Sequence, residues 1–220
     1  MVLKSEFRNK KKSVTVGIID TETANLKSVI YACEKNFLKV YLIKKYENIS
    51  NDIDGLIFPG VGSYNFVMEI LKRKKLDKFI FEFLKNNKPS LFICLGMQLL
   101  FSYSDEVKRS EGLNIFPGST ILIPSNEKRR VPIIGWNIIN QKNKSNIFFE
   151  IKKTDTFYFT HSFYVSPKNK EIISSESEYC GFKYCSSIAY KNIHGLQFHP
   201  EKSSAAGLKI YENFRKLCLV

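Results

Sequence analysis

The chain has 220 residues, 44% of them hydrophobic and 14% aromatic, which is enough apolar material for one buried core and too much for a chain that stays disordered. Its formal charge is +13, but the lysines are scattered, as at Lys72 to Lys75 and Lys142 to Lys144, with no RNA-binding motif around them, so no nucleic-acid partner is expected. No apolar run approaches the ~18 residues needed to span a bilayer, and the basic start has no apolar stretch behind it, so neither membrane insertion nor secretion is indicated.

Residues 1–13 are polar and basic without periodicity and read as a loose leader; residues 14–220 read as a single domain. Val14 to Asp20 is a short β-branched run suited to a strand buried on both faces. Thr23 or Asn25 opens a helix with Leu26, Val29, Ile30 and Cys33 at helical spacing, and Val40 to Ile43 is the next strand. Gly55 to Phe58 is a strand stopped by Pro59-Gly60; helical stretches follow at about 64–73 and 76–86, and then the apolar strand Ser90 to Ile93. From about Gly112 to Lys191 short alternating or aromatic runs, such as Thr156 to Thr160, predict antiparallel strands. A helix from Ala205 to Leu217, with Leu208, Tyr211, Phe214 and Leu217 on one side, closes the chain. The fold class is therefore α/β: a three-layer sandwich with a central, mostly parallel sheet flanked by helices, plus antiparallel strands in the C-terminal half.

Five cysteines, none in a C-x-x-C pair, suggest neither a zinc ribbon nor a complete disulfide framework, which favours a reducing cytoplasm. No metal and no cofactor is implied. One of the five stands out. Leu91-Phe92-Ile93-Cys94-Leu95-Gly96-Met97-Gln98 is an apolar strand running into Cys94, with Gly96 at the start of a helix. A sharp strand-to-helix turn lifts a nucleophile out of the sheet, and the helix start favours a thiolate and the oxyanion that follows. A cysteine nucleophile needs an imidazole to take its proton, and the imidazole needs an acidic group to orient it. The segment Gly195-Leu196-Gln197-Phe198-His199-Pro200-Glu201 supplies both, since His199 and Glu201 share one face of an extended chain. His194 has no such context and reads as structural or exposed.

Together C-L-G-M-Q and F-H-P-E resemble the glutaminase motifs of class I (triad) glutamine amidotransferases, in which Cys94, His199 and Glu201 would be nucleophile, base and orienting acid. Within that family the chain is similar, over residues 14–218, to glutaminase subunits of imidazole glycerol phosphate synthases. The marks are Ala24-Asn25-Leu26, Pro59-Gly60-Val61-Gly62, Gly135-Trp136-Asn137, Tyr158-Phe159-Thr160-His161-Ser162 and the tail from Glu201-Lys202-Ser203 through Gly207-Leu208 to Asn213-Phe214. The resemblance implies hydrolysis of glutamine through a cysteine thioester, with ammonia passed to a (β/α)₈ cyclase partner in a heterodimer of histidine biosynthesis. It further implies oxyanion donors from Leu95 and from the Gly60-Val61-Gly62 loop, glutamine binding by Gln98, Glu106 and Ser162, and a partner interface at Asn25, Trp136, Tyr158, His161 and Lys202. Three residues depart from the pattern. Phe92 stands where the family has glycine, which puts the elbow and its oxyanion geometry in doubt; Ile133 replaces a common histidine and Phe163 a tyrosine, both expected at the rim. The alternatives are a paralogue feeding another synthase, such as one amidating a sugar nucleotide, and a non-catalytic binding homologue.

Overall fold

The apolar runs that read as doubly buried strands assemble side by side. The computed structural model describes residues 13–23, 25–46, 52–107 and 109–220. In chain order the elements are β1 (Val14–Ile19), α1 (Leu26–Lys35), β2 (Leu38–Ile43), β3 (Gly55–Gly60), α2 (Tyr64–Arg73), α3 (Leu76–Lys85), β4 (Ser90–Cys94), α4 (Leu95–Leu99), β5 (Phe101–Ser104), β6 (Ser110–Glu111) and β7 (Phe116–Leu122). There follow β8 (Ile133–Ile138), β9 (Asn140–Gln141), β10 (Thr156–His161), β11 (Phe163–Pro167), β12 (Ile173–Tyr179), β13 (Phe182–Tyr190), β14 (Ile193–Leu196) and α5 (Ser204–Leu217). The main sheet has the order β2-β1-β3-β4-β14-β13-β12-β9. Its first five strands are parallel neighbours, and β13, β12 and β9 extend it antiparallel. A sheet of order β11-β7-β5-β6 and a ribbon of β8 with β10 complete the C-terminal half.

Alternation along the central strands sends side chains to two cores. Val14, Val16 and Ile18 of β1 join Ile57, Leu91 and Ile93 under α1 and α5. Leu56, Phe58 and Phe92 turn the other way, under α2, α3 and α4. Each such side chain, sealed from water, contributes about 1.5–3 kcal/mol by burial. The expected α/β sandwich is therefore the fold of the chain.

One boundary differs from the sequence reading. β3 does not stop at Phe58: Pro59 and Gly60 continue it, paired with Ile93 and Cys94 of β4. The proline is tolerated because the pairing of β3 with β1 has ended by Ile57, so on that side its missing N–H is not needed. In α5 the buried positions are Gly207, Ile210, Tyr211, Asn213 and Phe214, and the half-buried Leu208 and Leu217 pack against the same core as Tyr211 and Phe214, as the spacing predicts. Apart from Ser13, the leader expected at 1–13 lies outside the described residues. Among the described residues no helix is long and apolar enough to cross a membrane.

Candidate active site

β4 ends on Cys94 and α4 begins on Leu95, so the chain reverses within one residue. Cys94 takes φ 53° and ψ −109°, a backbone position that costs a non-glycine residue on the order of 1–3 kcal/mol and holds its side chain at the sheet's C-terminal end. The elbow passes so close to β3 that a Cβ on residue 96 would lie 2.3 Å from the Phe58 carbonyl oxygen, which is why Gly96 stands there. Phe92 is absorbed into the core under α2, α3 and α4, edge-on to Phe58 with ring centroids 6.1 Å apart. Cys94 keeps its elbow conformation with that ring in place.

β14 is the parallel neighbour of β4, with Leu196 beside Ile93. The chain beyond Leu196 therefore emerges next to Cys94 and carries Gln197 and His199 with it. His199 Nδ1 lies 2.7 Å from Glu201 Oε1, and the two side chains are 2% and 5% exposed. The pair does not share the face of an extended strand, as the spacing had suggested; the extended backbone ends at His199, and a 3₁₀ turn over Pro200–Lys202 carries Glu201 back to the ring. With Nδ1 engaged, Nε2 is the nitrogen left for the sulfur, and it is sealed from solvent. Burial opposes a charge on this imidazole, but Cys94 and the Glu201 carboxylate beside it outweigh that and lift the pKa to about 10. The ring is thus an imidazole that readily takes and holds a proton beside a cysteine, the pairing a thiol nucleophile needs.

A cavity of about 420 Å³ opens at the sulfur, edged by Val61 and Gly62 after β3, by Leu95 and Gln98 of α4, by Glu106, and by Thr160 to Phe163. Gly62 sits at φ +108°, a conformation that favours glycine. The sequence matches the family described as glutamine amidotransferase class-I over residues 17–217. The chain belongs to the class-I glutamine amidotransferases.

Similar proteins sharpen that membership. The imidazole glycerol phosphate synthase subunit HisH of Pyrococcus furiosus is 38% identical over 202 residues, covering 92% of this chain and 98% of the relative. The HisH subunits of Chlorobaculum tepidum and Aquifex aeolicus are each 37% identical over 199 residues, 90% of this chain and 98% and 95% of theirs. Among solved structures, a putative GMP synthase component from Thermoplasma acidophilum superposes with a TM-score of 0.72 at 18% identity, covering 94% of both chains. The structure of PurLQS from Thermotoga maritima gives 0.73 at 16%, covering 93% of this chain and 98% of that one. At those identities the two structures speak for the amidotransferase fold.

The residues singled out from the sequence fall into three places. Gln98, Glu106 and Ser162 line the cavity of this amidotransferase chain. Glu106 Oε2 accepts the Tyr64 N–H at 2.6 Å, satisfying a free donor at the start of α2. Leu95 carries the first N–H of α4, one of the donors that a helix start leaves unpaired, while Gly60 is the last residue of β3, paired with Cys94. On the outside, Ile134, Trp136 and Ile138 alternate along the exposed face of β8, with Trp136 52% exposed. Trp136 meets Tyr158 of β10 edge to face at 6.0 Å, and Lys202 Nζ lies 5.8 Å from the Tyr158 ring. Asn25 is exposed at the start of α1. Tyr158 is also tied to His199 through its backbone, its carbonyl accepting the His199 N–H at 2.9 Å and its own N–H donating to Ser203 Oγ at 2.9 Å.

His161 and Ile133 stand elsewhere than expected. His161 is 6% exposed and lines the cavity, with Nδ1 donating to the Phe163 carbonyl at 2.8 Å, because the side chains of β10 alternate and Tyr158, not His161, turns outward. Ile133 is buried in the core with Cys94 and not at the rim. Of the other cysteines, Cys33, Cys185 and Cys218 are buried and burial pushes their thiols up, the last two to about 12, which leaves them inert. One side chain at the sulfur went unnoticed in the sequence. Gln197 is fully buried with Nε2 3.6 Å from Cys94 Sγ, and its signal was position: it stands two residues before His199, just beyond a strand whose parallel neighbour ends at Cys94.

Proposed function

We propose that this chain is the glutaminase subunit of a cytoplasmic imidazole glycerol phosphate synthase. It hydrolyses glutamine to glutamate and ammonia and hands the ammonia to a (β/α)₈ cyclase subunit, which makes imidazole glycerol phosphate and AICAR. The observation that carries the chemistry is the meeting of Cys94 with the His199–Glu201 pair at one end of the sheet. The assignment to this synthase is supported by the curated relatives, which are named as HisH subunits of that enzyme and matched over most of their length.

Cys94 Sγ attacks the side-chain amide carbon of glutamine bound among Gln98, Glu106 and Ser162, and His199 Nε2 carries the thiol proton to the departing ammonia. The oxyanion is held by the N–H of Leu95 and by the Gly60-Val61-Gly62 loop. Water, deprotonated by His199, then cleaves the γ-glutamyl thioester and restores the thiol. Glu201 stays a carboxylate, keeping Nδ1 protonated so that Nε2 faces the sulfur. The exposed face of Trp136 and Tyr158, with Lys202 and Asn25, is the surface on which the cyclase docks, and its backbone link to His199 lies on the path between docking and chemistry. The pocket histidine His161 closes that side of the site.

The test is release of glutamate from glutamine by the purified chain, with and without the cyclase and its nucleotide ligand. Strong stimulation by the cyclase is expected, and Cys94→Ala is expected to abolish it. Stimulated turnover that survives Cys94→Ala, or stimulation by a different synthase alone, would overturn the nucleophile or the partner respectively.

A further inference from the structure

We propose that Gln197 is a positioning residue of the glutaminase, holding an amide N–H on the Cys94 sulfur through a directed chain of hydrogen bonds that begins at a backbone carbonyl. The inference rests on the reading of Cys94 as nucleophile and adds a residue to it.

The direction of the Gln197 amide is set two steps away. The Phe163 carbonyl oxygen can only accept, and it lies 3.0 Å from the Gln98 side-chain amide, so the Gln98 atom facing it is Nε2. That same nitrogen lies 3.1 Å from the Gln197 side chain, whose facing atom is therefore Oε1. With its oxygen turned to Gln98, Gln197 has only Nε2 left for the sulfur, 3.6 Å away. Flipping the two amides would set oxygen against the Phe163 carbonyl and oxygen against the sulfur. The carbonyl at the head of the chain is itself engaged from a second side by His161 Nδ1 at 2.8 Å. Gln197 and Gln98 are both buried, so water does not compete for these bonds.

An N–H aimed at sulfur favours the thiolate over the thiol and holds it in one place for attack. Gln197 neither takes nor gives a proton; His199 does that. The arrangement also leaves Gln98 Oε1 as the part of that amide available to the glutamine ammonium, so one side chain serves both substrate and relay.

The test uses the full chain with two substitutions. Gln197→Leu keeps the bulk and removes the donor; Gln197→Glu keeps an acceptor for Gln98 and turns an oxygen toward the sulfur. Alkylation of Cys94 by iodoacetamide at neutral pH is followed by mass spectrometry of the Cys94 peptide, because the exposed Cys180 reacts too. The rate is expected to fall about tenfold for Gln197→Leu, the size of a lost hydrogen bond to a charged group, and further for Gln197→Glu. In the partner-stimulated assay kcat falls in parallel, while KM for glutamine stays within about twofold. Equal alkylation rates in wild type and both variants, or a loss confined to KM, would overturn the proposal. A wild-type chain whose Cys94 resists alkylation and turns over no glutamine would instead sink the reading on which it rests.

Discussion

His194 within β14 and His199 just beyond it are almost equally buried, 4% and 2% exposed, and they behave in opposite ways. At His194 burial acts unopposed: Nδ1 has no hydrogen-bond partner, the cavity that the ring borders carries Lys144 and Lys191, and the pKa falls from 6.5 to about 4. At His199 burial is again the largest influence, yet Cys94 and Glu201 together reverse it and bring the ring to about 10. His161 follows His194: burial draws it down to about 4, although its bond to the Phe163 carbonyl works the other way. Depth alone therefore makes a neutral, inert imidazole. A carboxylate on one nitrogen and a cysteine near the ring give the same side chain a raised pKa, the property the proposed acid–base role needs.

The contrast breaks most severely if His199 is not the base. His199→Gln is expected to lower kcat/KM for partner-stimulated glutamate release by roughly 10³-fold, within the usual worth of general acid–base catalysis. A variant that keeps a tenth of the activity would place the base elsewhere. Glu201→Gln is expected to cost less, about 10²-fold in the same assay, because the imidazole remains but loses the anion that orients and charges it. Losing that anion disfavours the protonated ring, so the His199 titration seen by NMR should move down toward the ordinary range. An unmoved titration would mean that Glu201 does not supply the difference between the two histidines.

Much of this contrast was legible in the sequence, and what was hidden depended on tertiary neighbours. The strand runs at Val14, Gly55 and Ser90 announce themselves because strands buried on both faces must be continuously apolar, and Cys94-Leu95-Gly96 announces the elbow because only glycine clears the Phe58 carbonyl. The pairing of His199 with Glu201 followed from spacing, although the 3₁₀ turn that achieves it did not. Gln197 was hidden since its role exists only once β14 lies against β4, a register that no local pattern encodes. His161 was misplaced for a similar reason: the alternation of β10 was clear, but which face turns inward is decided by the Tyr184 and Phe198 rings that pack against it. Phe92 looked disruptive because its pocket against Phe58 is assembled from another strand.

The smallest effect sharpens the comparison from its inert side. Above about pH 6.5 His194 is neutral folded or unfolded and contributes nothing to the pH dependence of stability. As the pH falls from there toward about 4 the unfolded chain takes up a proton that the folded chain refuses, so stability drains away with acid. At pH 5 the loss from this one ring is on the order of 2 kcal/mol. His194→Gln has no proton to take up, so the difference between urea unfolding free energies at pH 7 and pH 5 should shrink by about that amount, with glutaminase activity at pH 7 unchanged. His161 keeps its own share of acid sensitivity, which is why the variant should flatten the profile without levelling it. If the variant loses as much stability on acidification as the wild type, His194 titrates as it would in water, and burial without a partner is not what separates it from His199.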